Sequence, residues 1–256
     1  MSRPRLTVLV PAYNEEAAVG QTLRSLDAYM RSISQEYEIL LVDDGSTDST
    51  GTAAAEAARD CARIRVTGYR KNKGMGYALR YGLGVAEGGI VAVAPADFDI
   101  APSYIGSGVS LIEAEEADVV LGSKWHAASC VFYPPHRRVL SHLYRLMIRV
   151  FLNLPVCDTQ GPLVFKRKLA EDILPEMISV GFAFSAEFLG RAHRRGWRIA
   201  EVPITVTCRP KRRCLVSKYV FQVALETLRV AVALRSVTPR TAPTLETRKS
   251  GRYNGS

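Results

Sequence analysis

Leu6-Thr7-Val8-Leu9-Val10-Pro11-Ala12-Tyr13-Asn14-Glu15-Glu16 and Ile39-Leu40-Leu41-Val42-Asp43-Asp44-Gly45-Ser46-Thr47-Asp48 decide the fold. Each opens on a β-branched and leucine run and ends in polar residues, the pattern of a buried parallel strand emerging into a loop. Open α/β sheets bind their ligands at these carboxyl ends. Asp43 and Asp44 repel each other unless donors or a cation offset their charge. A helix-capping turn is one reading of them. A carboxylate accepting hydrogen bonds from a base or ribose is the reading favoured here, and the chain is expected to bind a nucleotide.

Working outward, residues 5–122 alternate between strand and helix patterns. Strands are expected at 5–11, 37–43, 62–68, 89–94 and 118–122, and helices at 16–33, 48–59, 75–86 and 103–116. This rhythm predicts an α/β fold, a mostly parallel sheet with helices on both faces. Thr47-Asp48-Ser49 reads as a helix cap and Asn72-Lys73-Gly74 as a turn. From 123 the rhythm changes. A helix is expected at 136–152, with Leu140, Leu143, Tyr144, Met147 and Phe151 on one face and Arg138, His142, Arg145 and Arg149 on another. A second unit follows: a strand near 162–166, helices near 168–176 and 183–195, and a strand near 197–206. A last helix spans 219–235, apolar apart from Gln222, Glu226 and Arg229. The tail from 236 is expected to be disordered. The organisation is thus a domain over 1–218 with a donor half (1–122) and an acceptor half (123–218), then an amphipathic helix and the tail.

A chain of 256 residues is long enough to bury a full core as one large domain or a domain plus extensions. It contains no run of eighteen apolar residues, so no membrane-spanning helix is expected. Met1-Ser2-Arg3-Pro4-Arg5 lacks the apolar stretch of a secretory leader. Cys61, Cys130, Cys157, Cys208 and Cys214 are scattered and odd in number, which fits free thiols in the cytoplasm better than a disulfide framework. Cys208 and Cys214 lack the second pair a zinc site needs. The net charge of +9 favours an anionic partner: a phosphate ligand, an acidic membrane surface or nucleic acid. Without a zinc-finger or RNP-type motif or basic-aromatic interleaving, nucleic acid is excluded from the expected partners.

Three further stretches carry chemistry. Asp97 and Asp99, after the strand ending at 94, would face the same side of an extended backbone and suit Mg²⁺ or Mn²⁺ on a diphosphate. The alternative is a solvated loop capping helix 103–116. Lys71-Asn72-Lys73-Gly74-Met75-Gly76 opens a helix whose amides favour an anion. Arg209-Pro210-Lys211-Arg212-Arg213, with Lys218 after it, is a dense cation cluster with almost no offsetting acid. It is either a solvated turn or a phosphate-binding loop.

Pro11-Ala12-Tyr13-Asn14-Glu15 and Val42-Asp43-Asp44-Gly45-Ser46 resemble the opening of family 2 glycosyltransferases with the GT-A fold. The resemblance extends to the group of dolichol-phosphate mannose synthases and dolichol-phosphate glucosyltransferases. It continues in family order through Asn72-Lys73-Gly74-Met75-Gly76, Gly122-Ser123-Lys124, Arg137-Arg138 with Ser141, Asp158-Thr159-Gln160 and Arg198-Ile199-Ala200-Glu201-Val202-Pro203-Ile204. The resemblance implies a nucleotide-sugar pocket of Pro11, Tyr13, Glu15, Asp43, Asp44, Lys73 and Ala96. It implies a metal and diphosphate site at Asp97 and Asp99. Ser123, Lys124, Arg137, Arg209 and Lys218 would meet donor diphosphate or acceptor phosphate, and Glu187 would lie near the sugar. Asp97, Arg209 and Glu187 would thus be the catalytic set. Two positions depart from the family: Pro95 replaces the first Asp of its Asp-x-Asp motif, and Gly161-Pro162-Leu163 replaces a Gly-Phe-like segment near the acceptor.

The implied activity is inverting transfer of a hexose from a UDP-Glc or GDP-Man type donor to a polyprenyl or dolichyl phosphate at the membrane surface. A phosphate acceptor has a second pKa of roughly 6 and is already ionised near neutrality, so it needs no strong general base. That suits a chain with only four histidines. Such an enzyme would be cytoplasmic and peripheral on the inner face of the membrane, or recruited by a separate membrane subunit. Two alternatives stand beside this: a family 2 enzyme acting on a soluble hydroxyl acceptor with Glu187 as base, and a non-catalytic nucleotide-sugar-binding partner subunit.

Overall fold

The computed structural model describes residues 4–34, 36–132, 135–152, 154–181, 183–207, 216–235 and 237. Arg209, the expected basic loop up to 215 and the expected tail beyond 237 lie outside the described residues, as do the side chains of Arg137 and Lys218.

The donor half follows the expected alternation: β1 (Leu6–Ala12), α1 (Val19–Ile33), β2 (Tyr37–Asp44), α2 (Thr50–Arg59), β3 (Ile64–Tyr69), α3 (Met75–Val85), β4 (Ile90–Val93), α4 (Ser103–Glu113) and β5 (Val119–Ser123). Then come β6 (Cys130–Phe132), α5 (Pro135–Leu152), β7 (Leu163–Lys166), α6 (Arg167–Ile173), α7 (Phe184–Arg194), β8 (Ile199–Pro203), β9 (Thr205–Thr207) and α8 (Val216–Arg235). Among the described residues seven strands form one sheet in the order β3-β2-β1-β4-β7-β5-β8. The sheet is parallel except for β7, which runs antiparallel to both β4 and β5. The strand of the second unit is therefore not a separate layer. It sits between the last two strands of the donor half, so both halves share one sheet. The expected strand over 197–206 divides at Ile204: β8 stays in the main sheet while β9 pairs with β6.

Side-chain alternation explains the two cores. Val8, Val10, Ile39 and Leu41 point to one face with α1 and α4, while Leu9, Leu40 and Val42 point to the other with α3 and α7. These strand residues are almost wholly buried, and trimming any of the leucines to alanine would cost roughly 2–5 kcal/mol.

Helices α5, α7 and α8 form a third cluster around Ile148, Leu152, Ala186, Val230 and Leu234. This corrects the apolar face expected for α5. Its packed face centres on Ile148 and Leu152, whereas Leu143, Leu146, Val150 and Phe151 remain exposed. Helices α7 and α8 cover only part of its apolar surface. On α8, Leu225, Leu228 and Val232 are likewise exposed.

The end of the sheet opposite the strand carboxyl termini of β5 is tied by Asp118, which is 7% exposed. Its carboxylate accepts the Lys166 ammonium at 2.7 Å and the Arg198 guanidinium at 3.0 and 3.1 Å, besides the Arg198 amide at 3.0 Å. Burial opposes ionisation here, but Arg198 and Lys166 outweigh it and hold the carboxyl well below the usual carboxylate range. A depressed folded pKa contributes stability that is present above the unfolded value of about 3.9 and is lost as pH falls through it toward the folded value. Asp118→Asn is therefore expected to lower stability at pH 7 by about 1–3 kcal/mol. It should also flatten the acid side of the stability profile. Urea melts across that pH range read both effects, and an unchanged acid slope would refute the assignment.

Candidate active site at the strand carboxyl ends

The two strand-end phrases are hydrogen-bonded to each other. Parallel pairing of β1 and β2 sets Ala12 beside Asp43. Beyond the strands, the Asn14 amide donates to Ser46 Oγ at 3.1 Å, and Asn14 Oδ1 accepts the Thr47 amide at 2.9 Å. The Glu15 amide donates to Thr50 Oγ1 at 2.7 Å, and Glu16 Oε2 accepts the Ser49 amide at 2.9 Å. Asn14 adopts a left-handed backbone at φ 55°, a conformation that asparagine tolerates better than most residues. The expected cap of α2 is made by Asp48, whose Oδ1 accepts the Thr50 amide, and not by Ser49.

Asp43 and Asp44 divide their work by the pleat. Asp43 is half-buried at the strand end, and its Oδ1 accepts the Ser46 amide at 2.9 Å. Asp44 points the other way and is 4% exposed. Its Oδ1 accepts Tyr69 Oη at 2.7 Å and the Lys73 amide at 2.8 Å; its Oδ2 accepts Asn72 Nδ2 at 3.0 Å and the Gly74 amide at 2.9 Å. These four bonds correct the expectation that Asp44 contacts the nucleotide: its acceptor capacity holds the 72–74 loop. Burial, with the Asp44 carboxylate beside it, raises the Tyr69 phenol far above its ordinary pKa and keeps it a donor. Gly45 completes the turn at φ 68°, and a Cβ there would come within 2.5 Å of the Lys71 carbonyl carbon. Lys73 stands over the Tyr77 ring at 4.2 Å and its ammonium donates to Tyr77 Oη at 3.1 Å.

Pro11, Tyr13 and Glu15 lie at the end of β1, with Tyr13 44% exposed. β4 is the other neighbour of β1 in the sheet, so the segment holding Asp97 leaves the same edge as Pro11 and Asp43. Ala96 is buried, and its carbonyl accepts Thr22 Oγ1 at 2.8 Å, so it shapes the loop from beneath instead of lining a pocket. Asp97 and Asp99 are not on an extended strand, contrary to expectation. Phe98 is left-handed at φ 56°, and Asp97 Oδ1 accepts the Asp99 amide at 3.2 Å, which makes a tight turn. Among the described residues no group of three or more His, Cys, Asp or Glu side chains could hold a metal ion. The Asp99 carbonyl accepts the Thr207 amide at 2.9 Å, so the chain enters the basic stretch from beside this turn.

On the acceptor side, Ser123 is fully buried; its hydroxyl accepts the Trp125 amide and its carbonyl accepts Ser129 Oγ. It braces the turn after β5, which corrects the expectation of phosphate contact. Lys124 reaches Asp158 Oδ1 at 3.3 Å, and Asp158 also accepts the amides of Thr159 and Gln160. Lys124 nonetheless lines a cavity of about 350 Å³ with Trp125, Tyr144, Arg145, Arg149 and Cys157. The Arg145 guanidinium stands 5.0 Å over the Trp125 ring and donates to Cys157 Sγ at 3.5 Å. Sequence reasoning missed Trp125 as a wall residue and placed Arg145 only on a basic helix face. The i, i+4 spacing of Arg145 and Arg149 after Ser141 was the available signal.

Glu187 is 0% exposed. Its carboxylate accepts the amides of Ile178 and Ser179 and the Arg191 guanidinium at 2.8–3.1 Å. A carboxylate sealed and bonded in this way is no base for an acceptor hydroxyl, which corrects its expected catalytic role.

Asp44→Ala would strand four donors. We expect a loss of about 2–4 kcal/mol and faster amide exchange at Lys73 and Gly74. Hydrogen-exchange mass spectrometry over 70–80 checks this, and unchanged protection would contradict the tie.

Residues 7–174 match the profile described as Glycosyl transferase family 2. Polyprenol monophosphomannose synthase of Mycolicibacterium smegmatis is 32% identical over 210 residues, covering 79% of this chain and 77% of that protein. Glycosyltransferase AglD of Haloferax volcanii is 28% identical over 204 residues, 78% of this chain. Dodecaprenyl-phosphate galacturonate synthase of Rhizobium johnstonii is 35% identical over 118 residues, 46% of this chain. The matches span only 32% and 35% of the length of these last two. The fold is shared with glucosyl-3-phosphoglycerate synthase from Mycobacterium tuberculosis, solved with Mn²⁺, UDP and phosphoglyceric acid. The TM-score is 0.69 at 20% identity, over 94% of this chain and 81% of that one. With the sheet, the strand-end carboxylates and the profile in agreement, the chain belongs to glycosyl transferase family 2.

Proposed function

We propose that the protein transfers a hexose from a nucleotide diphosphate sugar to a polyprenyl phosphate. The observation that carries the acceptor assignment is the cavity beside α5, which combines the Lys124, Arg145 and Arg149 cations with the Trp125, Ile148 and Leu154 walls. A phosphate on a hydrocarbon chain needs both: charge-assisted hydrogen bonds for its head and apolar surface for its first isoprene units. Two relatives with polyprenyl-phosphate products in their names support the same reading. The sealed Glu187 favours it over a hydroxyl acceptor, since a phosphate dianion attacks without a base.

Pro11, Tyr13, Glu15, Asp43 and Lys73 would hold the nucleoside and Asp97 with Asp99 the diphosphate end. Two carboxylates on one turn fit Mg²⁺ or Mn²⁺, which commonly takes one or two protein oxygens and completes its shell with phosphate oxygens and water. Such an ion, when bound, would offset the charge of the leaving diphosphate. Arg209 would add a cation to that charge. Catalysis then rests on holding phosphate and anomeric carbon in line and on neutralising the leaving group.

The exposed Leu143, Leu146 and Val150 of α5, and Leu225, Leu228 and Val232 of α8, each follow i, i+3, i+7 spacing. With Arg149 and Arg229 also exposed beside them, they suit shallow adsorption to an anionic leaflet. No helix among the described residues is long and apolar enough to cross a membrane.

Donor screening with UDP- and GDP-sugars and Mn²⁺ or Mg²⁺, followed by addition of a short polyprenyl phosphate, tests the reaction; no sugar transfer to the lipid would overturn it. Asp97→Ala is expected to abolish metal-dependent transfer, and full activity in EDTA would remove the metal assignment. Arg145→Ala should raise the KM for the lipid phosphate on the order of tenfold, a loss of about 1.4 kcal/mol, while leaving the donor KM alone. A rise in donor KM would move the cavity to the donor side.

A further inference from the structure

Residues 177–181 belong to the acceptor half by sequence, yet their backbone lies on the donor half. The Val180 carbonyl accepts the Gly76 amide at 2.9 Å at the start of α3. One turn along α3, Arg80 Nη2 donates to the carbonyls of Met177 at 2.5 Å and Ser179 at 3.1 Å. The approach is close enough that glycine is required. A Cβ on Gly76 would lie 2.8 Å from the Val180 carbonyl carbon, and one on Gly74, at φ 93°, 2.8 Å from its oxygen. The carbonyls of the segment therefore grip α3. Its amides face the other way, where those of Ile178 and Ser179 meet Glu187.

Glu187 thus holds one side of a strap whose other side clamps the segment that Asp44 holds from below. Lys73 and Gly74 give their amides to Asp44, and two residues on Gly76 gives its amide to Val180. We propose that Glu187 is a positioning residue for the donor nucleotide, acting through residues 177–181 on the Lys73–Gly76 turn; this rests on the donor-site reading above. Its carboxylate is chemically necessary for the role. Oε1 accepts Ile178 and Arg191, and Oε2 accepts Ile178 and Ser179. An amide in either orientation would set its own N–H₂ against a donor. The strap also joins the C-terminal helix: Glu226 of α8 accepts the Ala183 amide at 3.3 Å. The donor turn is therefore built partly by residues more than a hundred positions away.

The test measures UDP and GDP binding to the full chain by calorimetry with Mn²⁺ and no acceptor, for wild type, Glu187→Gln and Arg80→Met. Arg80→Met breaks the strap from the donor side and serves alone if the buried substitution fails to fold. Both variants should weaken nucleotide binding on the order of tenfold, in line with the sensitivity of positioned groups to small displacements. In turnover the donor KM should rise while kcat at saturating donor and the lipid phosphate KM hold. The double variant should lose little more than either single one, because both act through one strap. A merely structural Glu187 would lower the melting temperature and leave the affinity of the folded protein untouched. Wild-type affinity in the folded variants, or losses that multiply in full, would overturn the inference alone. Absence of nucleotide binding by wild type would overturn the donor-site reading and the inference with it.

Discussion

The buried carboxylate of Asp44 is the constraint on which the carboxyl-end edge of the sheet depends. A charge that is 4% exposed is costly unless its lone pairs are occupied. Here they are taken by Tyr69, Asn72 and the backbone of Lys73 and Gly74. That requirement fixes the turn into α3, and the turn in turn sets where Lys73 meets the Tyr77 ring. Asp43, one residue earlier and on the opposite side of the pleat, is left half-buried at the strand end. The pair solves its own repulsion by separation: one carboxylate holds the turn into α3 and its neighbour stays half-buried at the strand end.

The second constraint is the insertion of β7 between β4 and β5. An antiparallel strand in an otherwise parallel sheet brings the acceptor half onto the donor half without a flexible boundary. It places α6 and α7 against the same core as α3, and this is why residues 177–181 lie on the N-terminus of α3. The strand leading into the cavity residues Lys124 and Trp125 and the strands of the carboxyl-end edge thus belong to one sheet. A glycosyltransferase gains from such a shared frame, because reacting groups must be held in line to within fractions of an ångström.

The strand ends were legible in the sequence because a buried parallel strand must be continuously apolar and gives way to polar residues where the chain leaves the sheet. Leu6 to Val10 and Ile39 to Val42 meet both conditions. The assignments that changed share a different cause. Ser123, Ala96, Asp44 and Glu187 are residue types that serve equally as ligand contacts and as internal hydrogen-bond partners, and type does not distinguish the two. Burial does, and burial depends on neighbours distant in sequence. The turn at Asp97 was misread for a related reason: alternation assumes extended backbone, and Phe98 is left-handed. On α5 the stripe was real, but Ile148 and Leu152, not Leu143 and Phe151, found a partner helix.

By itself the sequence determined the α/β alternation, the strand ends at which the two polar phrases emerge and the family resemblance. Each of these follows from local periodicity or from a contiguous motif. Only the tertiary structure decided which of two adjacent aspartates is buried, which helix face is covered, and that Glu187 is sealed against the 177–181 segment. Those outcomes depend on hydrogen bonds and packing between segments far apart in the chain, where free energy is set by what each group meets and not by what it is.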